Sequence, residues 1–230
     1  MAHEQFFYSN HIVDNTLIIE NDEHKHLSRV MRKRPGDTIW ISDGKGTSYQ
    51  TKILEIDPEN TTCKIVEKYS QFGEPENRVS LAVGLIKPAH WEILLEKAVE
   101  LGVYDIYPLI TRYTVVKGLK RDRGERIILS ALKQSGRSHL PILHDPAPFS
   151  EFIQQKRDEI TYICDNQDDY PQLASGSASE NYLVLIGPEG GFHPDEVTLA
   201  IQHSAQPVLL TNRRLRTETA CLAALNRLVV

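Results

Sequence analysis

Cysteine is scarce in this sequence: Cys63, Cys164 and Cys221 are the three it has. They lie far apart, are odd in number and show no C-x-x-C spacing, which argues against a disulfide framework and a zinc ribbon. Long hydrophobic runs are missing. None approaches the roughly 20 apolar residues that span a bilayer. The start, Met1–Asn10, is polar and aromatic rather than charged-then-apolar like a signal peptide, so the expectation is a cytoplasmic protein. Excess positive charge is missing too. The net charge of −5 argues against a generic nucleic-acid coat. His24 and His26 form a close pair without the companion ligands a metal needs, so no metal site is expected.

What is present describes an ordinary globular chain of 230 residues, 40% hydrophobic and 25% charged, enough for one large domain or two small ones. The pattern changes near residue 75. Before it, Thr38–Ser42 and Thr47–Ile56 flank Asp43-Gly44-Lys45-Gly46, a hairpin signal. Asp57-Pro58-Glu59-Asn60 then turns into a strand over Cys63–Tyr69. One helix is predicted over Asp22–Arg32, with Leu27, Val30 and Met31 at helical spacing. This reads as a small β-barrel carrying one helix. Gln71–Asn77, rich in Gly and Pro, is a boundary signal. Beyond it the strands Val79–Leu85, Tyr104–Leu109, Thr161–Cys164, Tyr182–Ile186 and Pro207–Leu210 are predicted. They alternate with helices over Trp91–Leu101, Gly124–Gly136, Phe149–Arg157 (starting near Ser150), Pro194–His203 and Thr217–Leu228. That alternation implies a mostly parallel sheet covered on both faces, with ligands bound beyond the carboxyl ends of its strands.

Two basic clusters run against the acidic average. One is Lys25, Arg29, Arg32, Lys33 and Arg34; the other is Lys117, Lys120, Arg121, Arg123, Arg126, Lys133 and Arg137, diluted by Asp122 and Glu125. Each is either a solvated helix face or a phosphate-contacting surface, and bulk charge does not decide between them.

Two segments stand at strand-to-helix junctions. In Ile186-Gly187-Pro188-Glu189-Gly190-Gly191-Phe192 the glycines let backbone approach a ligand closely. The motif is neither a Walker loop nor G-x-G-x-x-G. Pro194 suits the first turn of the next helix, and Asp195-Glu196 there repel an anionic phosphate but not a neutral or zwitterionic ligand. In Leu215-Arg216-Thr217-Glu218-Thr219-Ala220, Thr217 is the expected N-cap, and Arg216 just before it is free to meet a ligand or RNA. Taken singly, each segment is equally a plain turn or a capped helix.

Together and in this order, the two resemble the 16S ribosomal RNA uridine-N3 methyltransferases of the RsmE type, within the SPOUT superfamily. The resemblance covers nearly the whole chain. It includes Phe6-Phe7-Tyr8, His26-Leu27 with Arg29-Val30 and Arg32, Pro35-Gly36-Asp37, and Asp43–Gly46. Further on it includes Lys87, Glu96-Lys97-Ala98, Glu100–Val103, Pro108-Leu109, Gln134-Ser135 and both C-terminal motifs. It implies an α/β fold in which a small N-terminal PUA-like β-barrel (residues 1–72) grips RNA, and a SPOUT-type α/β trefoil-knot domain (residues 73–230) carries the chemistry.

The resemblance further implies S-adenosyl-L-methionine as cofactor. Its site would be Ile186, Gly187, Pro188, Glu189, Gly190 and Gly191 with Leu210, Thr211, Leu215, Arg216, Thr217, Thr219 and Ala220, and the segment holding Asp165 as a third wall. The partners implied are 16S rRNA of the small ribosomal subunit and a second copy in a homodimer. Lys25, His26, Arg29, Arg32, Lys87 and Arg137 are the expected RNA contacts. Departures from the family pattern occur at Thr211, Arg214, Tyr113 (where Arg is common, with Arg112 adjacent) and Lys133.

Uridine N3 carries a proton and becomes nucleophilic as that proton leaves, so a base, or a cation facing O2 or O4, is required. Arg216 is the candidate cation, and Glu218 either orients it or acts as base. The rival readings are a non-catalytic RNA-binding or ribosome-assembly factor of the same fold, a nucleotide- or phosphate-binding enzyme, and a related methyltransferase with another base as substrate.

Overall fold

A computed structural model of the chain describes residues 6–116, 118–167 and 169–229. Lys117 of the second basic cluster lies outside the described residues. The chain divides into two compact units: Met1–Glu74 with Leu129–Leu140, and Pro75–Ile128 with Pro141–Val230. The first division falls inside the Gly/Pro stretch Gln71–Asn77. Nothing in the sequence marks Leu129–Leu140 as a return to the first unit.

The first unit contains β1 (Phe6–Tyr8), β2 (Ile12–Val13), β3 (Thr16–Glu20), α1 (Asn21–Lys25), β4 (Thr38–Ser42), β5 (Thr47–Ile56) and β6 (Asn60–Ser70). Its sheet has the order β1-β4-β5-β6-β3-β2. Every pairing is antiparallel except β1 with β4. The β4–β5 hairpin closes on Asp43, whose Oδ1 accepts the N–H groups of Lys45 (2.7 Å) and Thr47 (3.0 Å). Phe7, Leu17, Ile19, Leu27, Ile39, Ile41, Ile53 and Cys63 form its core, and burial pushes the Cys63 thiol up to about 12.

The helix expected over Asp22–Arg32 is shorter and of mixed type. After α1 the chain widens into a π-helical turn, His26–Val30, in which Met31 N–H reaches the His26 carbonyl (2.9 Å). A π turn takes more residues per revolution than an α turn. Leu27 therefore stays buried while Val30, expected on the same face, is exposed.

The second unit contains β7 (Arg78–Gly84), α2 (Pro88–Glu100), β8 (Val103–Ile110), the start of α3 (Arg121–Ser135), β9 (Ile142–Leu143), β10 (Ala147–Pro148), α4 (Phe149–Phe152), β11 (Ile160–Cys164), β12 (Asn181–Ile186), α5 (Pro194–Gln202), β13 (Gln206–Val208) and α6 (Thr217–Leu228). The sheet order is β10-β8-β7-β12-β11-β13, with β9 on β8, and its pairings are parallel. The unbroken apolar run of β12 suits its central place, buried on both faces. On one side α2 and α6 pack against each other and against β7, β8 and β12. A second apolar cluster joins Phe149 and Phe152 with Val197 and Ala200 of α5, Leu183 and Leu185 of β12, and Phe192.

α4 starts beside Ser150, at Phe149 with Pro148 as N-cap, but spans one turn instead of reaching Arg157. The chain turns back after it, which lays the Arg157 guanidinium 4.1 Å from the Phe152 ring and 5.0 Å from that of Tyr107. Among the described residues, no helix is long and apolar enough to cross a membrane.

Candidate active site

β12, β11 and β13 run parallel, so their carboxyl ends meet at one edge of the sheet. There a cavity of about 390 Å³ opens, within the usual range of roughly 300–1,000 Å³ for small-molecule sites. Of the residues expected to bind cofactor, Ile186, Gly187, Pro188, Glu189, Gly190, Gly191, Leu210, Thr211, Leu215, Thr217 and Ala220 line it. Arg216 and Thr219 do not. The wall is completed by Cys164 at the end of β11, by Asp165 and Asn166 just after it, by Phe192 and by Arg214. Asp165 and Asn166 belong to the segment that the resemblance implies as a third wall; the one signal of Cys164 is its position at the carboxyl end of a parallel strand.

The first loop is held tightly. A Cβ on Gly187 would lie 2.7 Å from the Gly191 carbonyl carbon and 2.9 Å from Phe192 N, so no other residue fits without moving backbone. Gly191 N–H donates to the Pro188 carbonyl (2.8 Å). Phe192 enters the core beside Phe149, ring centroids 5.3 Å apart, and anchors the loop's far end. Glu189 Oε1 accepts from the Lys87 N–H (3.4 Å).

The cap of α6 differs from expectation. Arg216, extended at φ −72°, ψ 154°, occupies the N-cap position, and Thr217 is the first helical residue. The Thr217 hydroxyl donates instead to the Gly187 carbonyl (3.0 Å), buried, and ties the second loop to the first. Distant partners override local capping preference here. Arg216 is exposed, and among the described residues its side chain makes no hydrogen bond or ion pair. Glu218 does not pair with Arg216; its Oε1 lies 2.9 Å from Nδ1 of His90 in the first turn of α2. The Glu218 side chain is 13% exposed and that of His90 33%, so the carboxylate is the more withdrawn from water of the two.

The cavity wall carries two carboxylates, Asp165 and Glu189, and one guanidinium, Arg214, whose Nη2 donates to the Glu189 carbonyl (3.3 Å). The remainder is uncharged: backbone, apolar surface and the side chains of Asn166, Thr211 and Thr217. That mixture suits a ligand bearing both signs of charge better than a polyanion. Burial, and behind it the Asp165 carboxylate, push the Cys164 thiol far up. Cys221 is pushed up by burial, then by Cys164 and Glu218. The shift disfavours the thiolate at both positions.

At α5, His193 Nδ1 accepts from Asp195 N–H (3.2 Å) and Glu196 Oε2 from His193 N–H (2.8 Å), a capping box with Pro194 at the first helical position. The acidic pair is not bare. Arg112 donates its N–H to Glu196 Oε1 (2.9 Å) and reaches Asp195 through Nη1 (3.3 Å).

The basic clusters separate. Lys25, His26, Arg29 and Arg32 are exposed, around α1 and the π turn, although Lys25 pairs with Asp22 (2.9 Å). Lys87 is exposed at the start of α2. Arg137 corrects the expectation of an RNA contact: it is 2% exposed and its Nη2 lies 2.6 Å from Glu74 Oε2, a structural ion pair. The rest of the second cluster is largely neutralised where it stands. Arg121 pairs with Glu125 and Asp145, Arg123 with Glu92, and Lys133 with Glu23.

Residues 73–229 match the family model described as an RNA methyltransferase domain, and residues 19–66 match an RNA methyltransferase PUA domain. A curated relative from Synechocystis, named ribosomal RNA small subunit methyltransferase E, is 29% identical over 98% of this chain and 76% of its own. A Bacillus subtilis relative of the same name is 27% identical, over 92% and 88%. A crystal structure of the Neisseria gonorrhoeae ribosomal RNA small subunit methyltransferase E, bound to S-adenosyl methionine, superposes with a TM-score of 0.87 at 28% identity, covering 97% of this chain and 95% of that one. A Legionella pneumophila structure in complex with the bound cofactor SAM gives 0.81 at 27%, covering 96% and 95%. The fold class is therefore a SPOUT-type α/β domain with an N-terminal PUA-like domain, and the chain belongs to the RNA methyltransferase family.

Proposed function

We propose that this protein methylates N3 of a specific uridine in 16S rRNA of the small ribosomal subunit, using S-adenosylmethionine. The observation that carries the reading is the joining of the two family-specific loops around one cavity, through the Thr217–Gly187 hydrogen bond. The relatives' names and the cofactor-bound neighbours support the same reading.

The cavity fits the cofactor by size and donor set. Its backbone-rich glycine wall suits a purine. Asp165, Glu189 and Arg214 suit a group that carries an ammonium, a carboxylate and a sulfonium together. When bound, S-adenosylmethionine supplies an electrophilic methyl group. The protein's task is then to expose N3 and manage its proton. N3 is on the pairing edge, so the base must be unpaired or flipped out of its stack. Arg216, a guanidinium without a partner among the described residues and next in sequence to wall residues, stabilises negative charge on O2 or O4 as the proton leaves. The proton passes to the Glu218–His90 pair, in which each group holds the other in place.

Residues 1–72 are assigned to gripping RNA, with Lys25, His26, Arg29 and Arg32 as phosphate contacts, and residues 73–230 to catalysis, with Lys87 as a further RNA contact. The functional form is a homodimer, as the family resemblance implies, and the protein is assigned to the cytoplasm. The direct test is mass spectrometry of small-subunit rRNA from cells lacking the protein. Loss of one 3-methyluridine, restored by the purified protein with S-adenosylmethionine, is expected. An unchanged 3-methyluridine content would overturn the substrate while leaving the fold assignment intact.

A further inference from the structure

The segment after β8 presents an aromatic side chain that the cofactor site does not use. Thr111 and Thr114 lock it into a turn: Thr111 N–H donates to Thr114 Oγ1 (2.9 Å), and Thr114 N–H to the Thr111 carbonyl (3.1 Å). Arg112 fastens the turn to the capping acids of α5. Tyr113 follows, and its inner side rests on Gly190. A Cβ at Gly190 would lie 3.0 Å from Tyr113 Cβ and 3.4 Å from Cγ, so the glycine is what allows the ring to settle there. His193 flanks it, ring centroids 5.8 Å apart. Yet Tyr113 remains 43% exposed. Gly190 is a wall residue of the cavity, so a rigidly seated, half-exposed ring stands one residue's thickness from it.

We propose that Tyr113 is a stacking platform for an unpaired nucleobase of the RNA substrate, at the rim of the methyl-donor cavity. The inference rests on the RNA methyltransferase reading above. A ring seated on Gly190 and flanked by His193 loses little freedom when a base lies on it, and stacking of this kind is sequence-tolerant. Arg112, exposed beside the ring and holding Asp195, keeps the surface from repelling a phosphate strand. The hydroxyl has no part in the role, so phenylalanine substitutes and alanine does not.

The test uses the full-length protein with two probes. One is a single-stranded uridine-containing oligonucleotide carrying 2-aminopurine next to the uridine, whose fluorescence is quenched on stacking. The other is methyl transfer to small subunits from cells lacking the protein, with S-adenosylmethionine affinity measured by calorimetry. Wild type and Tyr113→Phe are expected to quench the probe alike. Tyr113→Ala is expected to lose the quench and raise KM for the subunit ~10-fold, the scale of one lost base–aromatic stack, with kcat and cofactor affinity unchanged. Wild-type quench and KM in Tyr113→Ala would overturn the proposal. So would equal impairment of Tyr113→Phe, or a loss of cofactor affinity as large as the rise in KM, which would mark Tyr113 as a prop for the glycine loop. If the wild type quenches the probe but transfers no methyl group, the methyltransferase reading fails while the stacking result stands.

Discussion

The two loops that wall the cavity are built on different principles. Gly187–Gly191 is fixed by close backbone packing, by an internal turn, by the buried Phe192 anchor and by the Thr217 hydroxyl. Thr211–Arg214 has little of this. It is held by Arg213 N–H to Thr211 Oγ1 (3.4 Å), Gln172 to Asn212 (3.0 Å) and Arg214 to the first loop (3.3 Å), all at exposed side chains. A site with one rigid and one loosely tethered wall holds the ligand's shape on one side and adapts to it on the other. Thr211 and Arg214, two of the positions where the sequence is expected to depart from the family pattern, fall in the loose wall.

The sharpest way to break this comparison is to damage the rigid wall. Gly187→Val forces backbone apart and should weaken S-adenosylmethionine binding ~100-fold or more, read by calorimetry. Arg216→Ala should lower methyl transfer ~100-fold, the scale of one lost charge-stabilising donor, with cofactor affinity unchanged; undiminished turnover would remove Arg216 from the chemistry. Thr217→Val removes the tie between the walls and should cost ~1 kcal/mol, about fivefold in cofactor affinity. Arg214→Ala, in the adaptable wall, should cost only about twofold; an effect equal to that of Gly187→Val would erase the distinction between the loops. The smallest expected effect concerns pH. Folding raises the Cys164 and Cys221 thiols above the ordinary value of 9.0. Their contribution to stability is therefore complete below that value and is lost as pH rises beyond it. Melting temperature should fall as pH rises from about 9 to about 11, and fall less in Cys164→Ser; an identical slope in the variant would show that Cys164 does not carry the effect.

Much of this was legible in the sequence, and the reasons for the gaps are physical. The hairpin on Asp43, the boundary near Gln71–Asn77 and the alternating strands and helices are written in local periodicity and turn chemistry, which neighbours in sequence determine. The cavity's glycine wall was legible because a close backbone approach demands glycine. What sequence did not reveal depends on distant partners. Thr217 suits an N-cap by type, but its hydroxyl finds Gly187 instead. His90 carries no local signal, and only the packing of α2 on α6 brings it to Glu218. Arg137 looks like its basic neighbours, yet Glu74 lies far from it in the chain and next to it in the fold. Val30 fits an α-helical stripe until the π turn rotates it out.

We propose that the paired loops, with Gly187–Gly191 as the rigid half, form the S-adenosylmethionine site. Calorimetric titration of the wild-type protein and of Gly187→Val with S-adenosylmethionine tests it most directly. Saturable binding by the wild type, with binding lost in a variant that keeps the wild-type circular dichroism spectrum, is the predicted result. Native affinity in the folded variant would contradict it.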